Sequence, residues 1–89
     1  MSNNVTITHD AAAMMFKITQ PEGEAYLDYS MDNGNLVVLH TVVPPALGGR
    51  GYGALLAQAA YDYAAEHHHA FKYECSFVGA WAKKNHIEQ

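Results

Sequence analysis

HTVVPPALGGRGYGALLAQAAY, residues 40–61, orders a strand, a glycine-rich turn and a helix. The apolar run from Leu36 to Val43 stops at Pro44-Pro45. The turn Gly48-Gly49-Arg50-Gly51-Tyr52-Gly53 follows, and an amphipathic helix begins near Ala54. Glycines let backbone come close to a ligand, and the free N–H groups of a helix start point at an anion. This order of elements predicts an anion site, and a phosphate compound is its natural occupant.

The flanking segments supply the rest of a mixed sheet. Val5 to Thr8 alternates weakly, as a short strand or an ordered arm would, and Met14 to Ile18 reads as a strand. Gln20 to Glu24 is a turn. Ala25 to Met31 alternates as a half-buried strand should. Asp32-Asn33-Gly34-Asn35 is a hairpin turn, because Asn-Gly readily takes positive φ. Asn35 to Val43 is the most apolar strand and is expected at the centre of the sheet. Leu55, Leu56, Ala59, Ala60, Tyr63 and Ala64 recur at helical spacing, so the helix runs from Gly51 or Tyr52 to about His67. Phe71 to Cys75 is a further strand, and Phe77 to Lys84 a second helix. The expected class is α/β, in the α+β mixed-sheet sense: antiparallel strands, then strand–helix–strand–helix with one right-handed parallel crossover.

The chain has 89 residues, which predicts a single domain over 1–89. A domain this small has little stability to spare, and a homodimer would add to it. The formal net charge of −4 argues against a nucleic-acid or anionic-membrane partner. The basic residues are Lys17, Arg50, Lys72, Lys83 and Lys84, so a positive charge inside the glycine turn is notable. Cys75 is the only cysteine, which excludes an intrachain disulfide. No apolar run is long enough to span a bilayer, and a cytoplasmic protein is expected.

Two familiar phosphate motifs fail on residues. Gly49-Arg50-Gly51-Tyr52-Gly53 is closer to G-x-G-x-G than to the dinucleotide fingerprint G-x-G-x-x-G, and the strands before it are antiparallel. A P-loop ends in G-K-[ST], whereas Ala54 and Leu55 follow Gly53 here.

The turn resembles motif A of the GNAT N-acetyltransferase superfamily, Q/R-x-x-G-x-G/A after a strand that often ends in V-x-P. The chain is most similar to a subfamily of minimal, stand-alone GNAT-like domains. Its pattern is H-T-x-V-P-x-x-L-x-G-x-G, then a long helix, then a strand ending in C-S-[YF]-V. The matching residues are His40-Thr41, Val43-Pro44, Leu47, Gly49, Gly51 and Cys75-Ser76-Phe77-Val78, and the likeness spans about Phe16 to Asn85. The resemblance implies acetyl-CoA as cofactor and acetyl transfer to an amine. It also implies that the pyrophosphate lies on backbone N–H groups of Gly49 through Gly53 and that Thr41, Val42 and Val43 pair with the pantetheine arm. Gly48 stands where the motif usually carries Gln or Arg, and Arg50 is the charge at hand to compensate. Trp81 stands where the subfamily often has Tyr, the residue that protonates the departing thiolate in many larger GNAT enzymes. The competing reading is a module that holds acyl-CoA without turnover.

Two residues are candidates for the chemistry. Cys75, which the resemblance places at the acetyl end of the cofactor, reads as a nucleophile, as a wall of the acyl pocket, or as a small buried residue. His40, ending the apolar strand, reads as a general base or as a histidine that shapes the site by hydrogen bonding. His67-His68-His69 does not predict a metal. Consecutive helical residues project about 100° apart and do not converge on one ion. The tract suits a helix C-terminus instead. Lys83-Lys84 reads either as a contact for the 3′-phosphate of CoA or as a solvated helix end, and Trp81 as packing for the second helix.

Overall fold

A computed structural model describes residues 5–87. The chain runs β1 (Ile7–Asp10), β2 (Met15–Gln20), β3 (Gly23–Asp32), β4 (Asn35–Val42), a 3-10 turn (Pro45–Leu47), α1 (Tyr52–Glu66), β5 (Ala70–Tyr73) and α2 (Ser76–Lys84). The sheet keeps this order in space, β1-β2-β3-β4-β5. The first four strands are antiparallel neighbours, and β5 adds parallel to β4 through α1. This is the mixed α/β sheet that the sequence predicts. One expectation is corrected. The most apolar strand, β4, lies next to the edge strand β5, and β3 is the middle strand. The reason is β1, a full member of the sheet that extends it on the far side.

The turns follow from local chemistry. Asn33 at φ 54 and Gly34 at φ 82 form the β3–β4 hairpin, both in the left-handed region that Asn and Gly tolerate best. Both helices cover the same face of the sheet. Phe16, Ile18, Ala25, Leu27, Tyr29, Leu36 and Val38 point into that layer and are buried. The α1 stripe against them is Tyr52, Leu56, Ala57, Ala60 and Ala64. Leu55, Ala59 and Tyr63, expected in the stripe, flank it half-buried. Alanines at the centre bring the helix axis close to the sheet. Leu47 of the 3-10 turn is fully buried and closes the end of this layer nearest the glycines. Trp81 packs edge-on against Phe71 and Tyr61, which docks α2 onto β5 and α1.

One irregularity positions the site. Asp28 pairs with His40, but the next residue, Tyr29, pairs with Val38. Leu39 is therefore an extra residue on β4, a β-bulge, and it reverses the in–out alternation beyond it. Thr41 then lies opposite Leu27 on the helix side, while His40 lies opposite Asp28 on the uncovered side.

Candidate functional site

The site is built where β4 outruns β5. Their pairing ends at Val38 with Tyr73, with a last bond from the Glu74 N–H to the Val38 carbonyl at 2.8 Å. β4 continues from Leu39 to Val42 with no β5 partner, while β5 turns away into α2. Backbone groups on that side of β4 thus face a gap instead of a strand. A cleft of about 390 Å³ occupies the gap. Thr41 and Val43 of β4 and Leu47 line one side. Gly48, Gly49 and Gly51 line its rim, and Tyr52 to Ala54 at the start of α1 line its end. Phe77 of α2 forms the opposite wall. None of these side chains is charged. A neighbouring hollow of about 350 Å³ shares Phe77 and Ala54 and extends to Ala80, Trp81 and Lys84.

Gly49 and Gly51 both sit at φ 78, and a β-carbon at either would meet nothing within 4 Å. Their glycine requirement comes from backbone conformation, and they leave open space in front of the chain. Gly51 caps α1, no side chain caps the helix, and its first turn holds no acidic residue. The first N–H groups of α1 therefore stay available to an anion at the cleft. Gly53 differs: a β-carbon there would lie 2.7 Å from Cζ of Phe77. Its lack of a side chain lets α2 approach α1.

The remaining predicted residues divide by location. The Cys75 thiol donates to Thr41 Oγ1 at 3.6 Å, half-buried directly behind a cleft-lining residue. Cys75 also caps α2. His40 is on the other face of the sheet, its side chain 69% exposed, with Nδ1 3.1 Å from Asp28 Oδ1. The bulge thus puts His40 on the opposite face of the sheet from the Thr41–Cys75 contact. Val42 also turns its side chain to the uncovered face, so only its backbone adjoins the gap. Arg50 points away from the cleft. Its guanidinium binds Glu22 at 3.3 Å and lies 5.9 Å above the Tyr52 ring. That hydrogen bond holds the Glu22 carboxyl below its usual range.

The histidine tract terminates α1. His67 Nδ1–H donates to the Tyr63 carbonyl at 3.0 Å, and His69 Nδ1–H donates to the Gly34 carbonyl at 3.0 Å. No cluster of metal-ligating side chains occurs among the described residues. No helix among them is long and apolar enough to cross a membrane. A polar cluster that the sequence reading missed adjoins this tract, at the end of α1 away from the cleft. His9 stacks on Phe16 at 4.1 Å and shares a 2.6 Å hydrogen bond with the Tyr29 hydroxyl. Its only sequence signal was the alternation of β1, which puts Ile7 and His9 on one face.

A two-layer domain with a five-stranded mixed sheet, two helices on one face and an uncapped helix start at a cleft is a small α/β domain compatible with a GNAT-like fold. Residues 15–89 match the family model described as GCN5-related N-acetyl-transferase, and the chain belongs to that family. The comparison with curated proteins gave no match. Family membership supports an acetyl-transfer function.

Proposed function

We propose that this chain binds acetyl-CoA in the β4–α1–α2 cleft and transfers its acetyl group to an amine. The observation that carries the reading is the coincidence, in one cleft, of an unpaired β4 edge and open glycines at an uncapped helix start. The residues present fit the cofactor. Thr41, Val42 and Val43 would pair through backbone with the amides of the pantetheine arm. Gly48, Gly49, Gly51 and Tyr52 would hold the pyrophosphate, with N–H groups of α1 supplying the donors. Arg50 would reach the phosphates by leaving Glu22. When bound, acetyl-CoA supplies an acyl group activated as a thioester. Thr41 and Cys75 would border that group, Cys75 as the wall behind Thr41.

Calorimetric titration with acetyl-CoA, with CoA and ATP as controls, tests the binding. Micromolar affinity confined to the CoA forms supports the reading, and no binding overturns it. A module that binds acyl-CoA without turnover is the second reading. It is favoured by Trp81, which is buried between α1 and β5 and offers no hydroxyl to the departing thiolate. Release of CoA in the presence of amines and peptides separates the two.

A further inference from the structure

We propose that Asp28 and His40 form a base dyad on the uncovered face of the sheet, and that the amine acceptor docks on that face; this rests on the acetyl-transfer reading above. The β-bulge at Leu39 turns His40 out of the helix layer and places it directly opposite Asp28. The imidazole Nδ1 lies 3.1 Å and 3.4 Å from the two carboxylate oxygens. An ionised carboxylate only accepts hydrogen bonds, so Nδ1 carries the proton and Nε2 presents a lone pair. Asp28 thus fixes the tautomer and orients the ring. Nε2 makes no hydrogen bond among the described residues, and the ring is open to an incoming molecule.

The location suits an acceptor. The helix side of the β4–β5 gap belongs to the cleft, so the free approach to the gap is from the uncovered side. His40 stands two residues beyond the last β4–β5 pair, beside the opening. Tyr26 and Val42 form the adjoining cross-strand pair on the same face and offer an apolar shoulder to the acceptor's stem. Alternation along β5 turns Lys72 to this face as well. The face has no enclosing walls, which fits an amine carried on a peptide or protein.

The proton balance needs no further group. The acceptor arrives as an ammonium, and His40 Nε2 takes one proton and later returns it to solvent. The freed nitrogen forms a bond to the acetyl carbonyl carbon while the carbon–sulfur bond breaks. The second nitrogen proton passes to the departing thiolate, giving the amide and free CoA. Asp28 acts through His40 and is a positioning residue.

The experiment compares the full chain with His40→Gln, Asp28→Asn and Asp28→Glu. It measures acetyl-CoA affinity by calorimetry, and CoA release with a panel of lysine- and N-terminal-amine peptides across pH. The pair is on the surface, so all variants should fold, as circular dichroism will show. Acetyl-CoA affinity should be unchanged, since neither residue lines the cleft. His40→Gln should lower kcat by about a hundredfold near neutral pH. Its profile should keep rising into the alkaline range, where free amine accumulates, while the unaltered protein levels off. Asp28→Asn should lower kcat by about tenfold with KM little changed, and Asp28→Glu should recover part of the loss. If the unaltered protein transfers acetyl and the variants keep its rate and pH profile, the dyad is wrong and the transfer reading stands. If acetyl-CoA binds but no peptide is acetylated, the dyad and the transfer step fall together and the binding module remains.

Discussion

Gly53 at the start of α1 lies directly beneath the Phe77 ring of α2, so that a β-carbon at 53 would stand 2.7 Å from Cζ and 2.9 Å from Cε2. The ring end that would collide is the tip of a side chain 46% exposed, and it can swing aside. Gly53→Ala should therefore fold. The helix-propensity gain of roughly 1 kcal/mol offsets the cost of moving the ring. Phe77 walls both hollows, so its displacement should weaken acetyl-CoA by about tenfold, or ~1.4 kcal/mol. Melting temperature and calorimetry check the two halves separately. An unchanged affinity would mean that Phe77 does not shape the cofactor site.

Gly51 and Gly34 make a matched pair. Their φ values are 78 and 82, and neither has an atom within 4 Å of a built β-carbon. One opens the cleft, and the other sits at the far end of β4 in the hairpin. Leucine at either position should cost about 1–2 kcal/mol through the left-handed backbone alone. Only Gly51→Leu should abolish acetyl-CoA binding. Equal binding by both variants would show that the pyrophosphate lies elsewhere.

Much of this architecture was readable because single residues dictate it. Asn33-Gly34 demanded a hairpin, and the glycine run after an apolar strand demanded a crossover into a helix. The bulge was not readable. Leu36 to Leu39 is apolar throughout and His40-Thr41 puts two polar residues in succession, so no alternation marks the extra residue. Yet that residue decides the face on which His40 stands. The 3-10 turn over Pro45–Leu47 was equally hidden, since proline and glycine neighbours describe any loop and the burial of Leu47 is a tertiary fact. That Gly53 also makes room for Phe77 was hidden, because Phe77 is distant in sequence.

Cys75 donates its thiol to Thr41 Oγ1, and a hydroxyl is too weak a base to take the proton. A direct attack of the amine on the thioester is the simpler route. Cys75→Ala should then keep kcat within about tenfold. Intact mass after incubation with acetyl-CoA alone should show no acetylated protein. A stable acetyl adduct that vanishes in Cys75→Ala would instead establish a covalent route.

Arg50 is held by Glu22, outside the cleft, although it is the basic side chain closest in sequence to the proposed phosphate site. Binding of the pyrophosphate would have to compete with that carboxylate. Glu22→Gln should accordingly strengthen acetyl-CoA binding, and Arg50→Gln should weaken it, both effects fading as salt is raised. If neither substitution moves the affinity, backbone donors alone hold the phosphates.

His9 and Tyr29 predict an acid sensitivity unconnected with the cleft. Burial against Phe16 and Tyr63 lowers the His9 pKa below its ordinary value of 6.5; Asp10 opposes this and His67 adds to it. Burial likewise raises the Tyr29 pKa, so its hydroxyl stays protonated. The unfolded chain therefore binds a proton at His9 more readily than the folded one, and stability rises with pH. The contribution is complete above the unfolded value and is lost as pH falls through it toward the depressed folded value. Melting temperature should drop between pH 7.5 and 5. A His9→Phe, Tyr29→Phe double variant keeps the ring stack, removes both partners of the hydrogen bond and leaves no unpaired polar atom. Its melting temperature should fall less over the same interval. An identical fall in both proteins would assign the acid sensitivity to other groups.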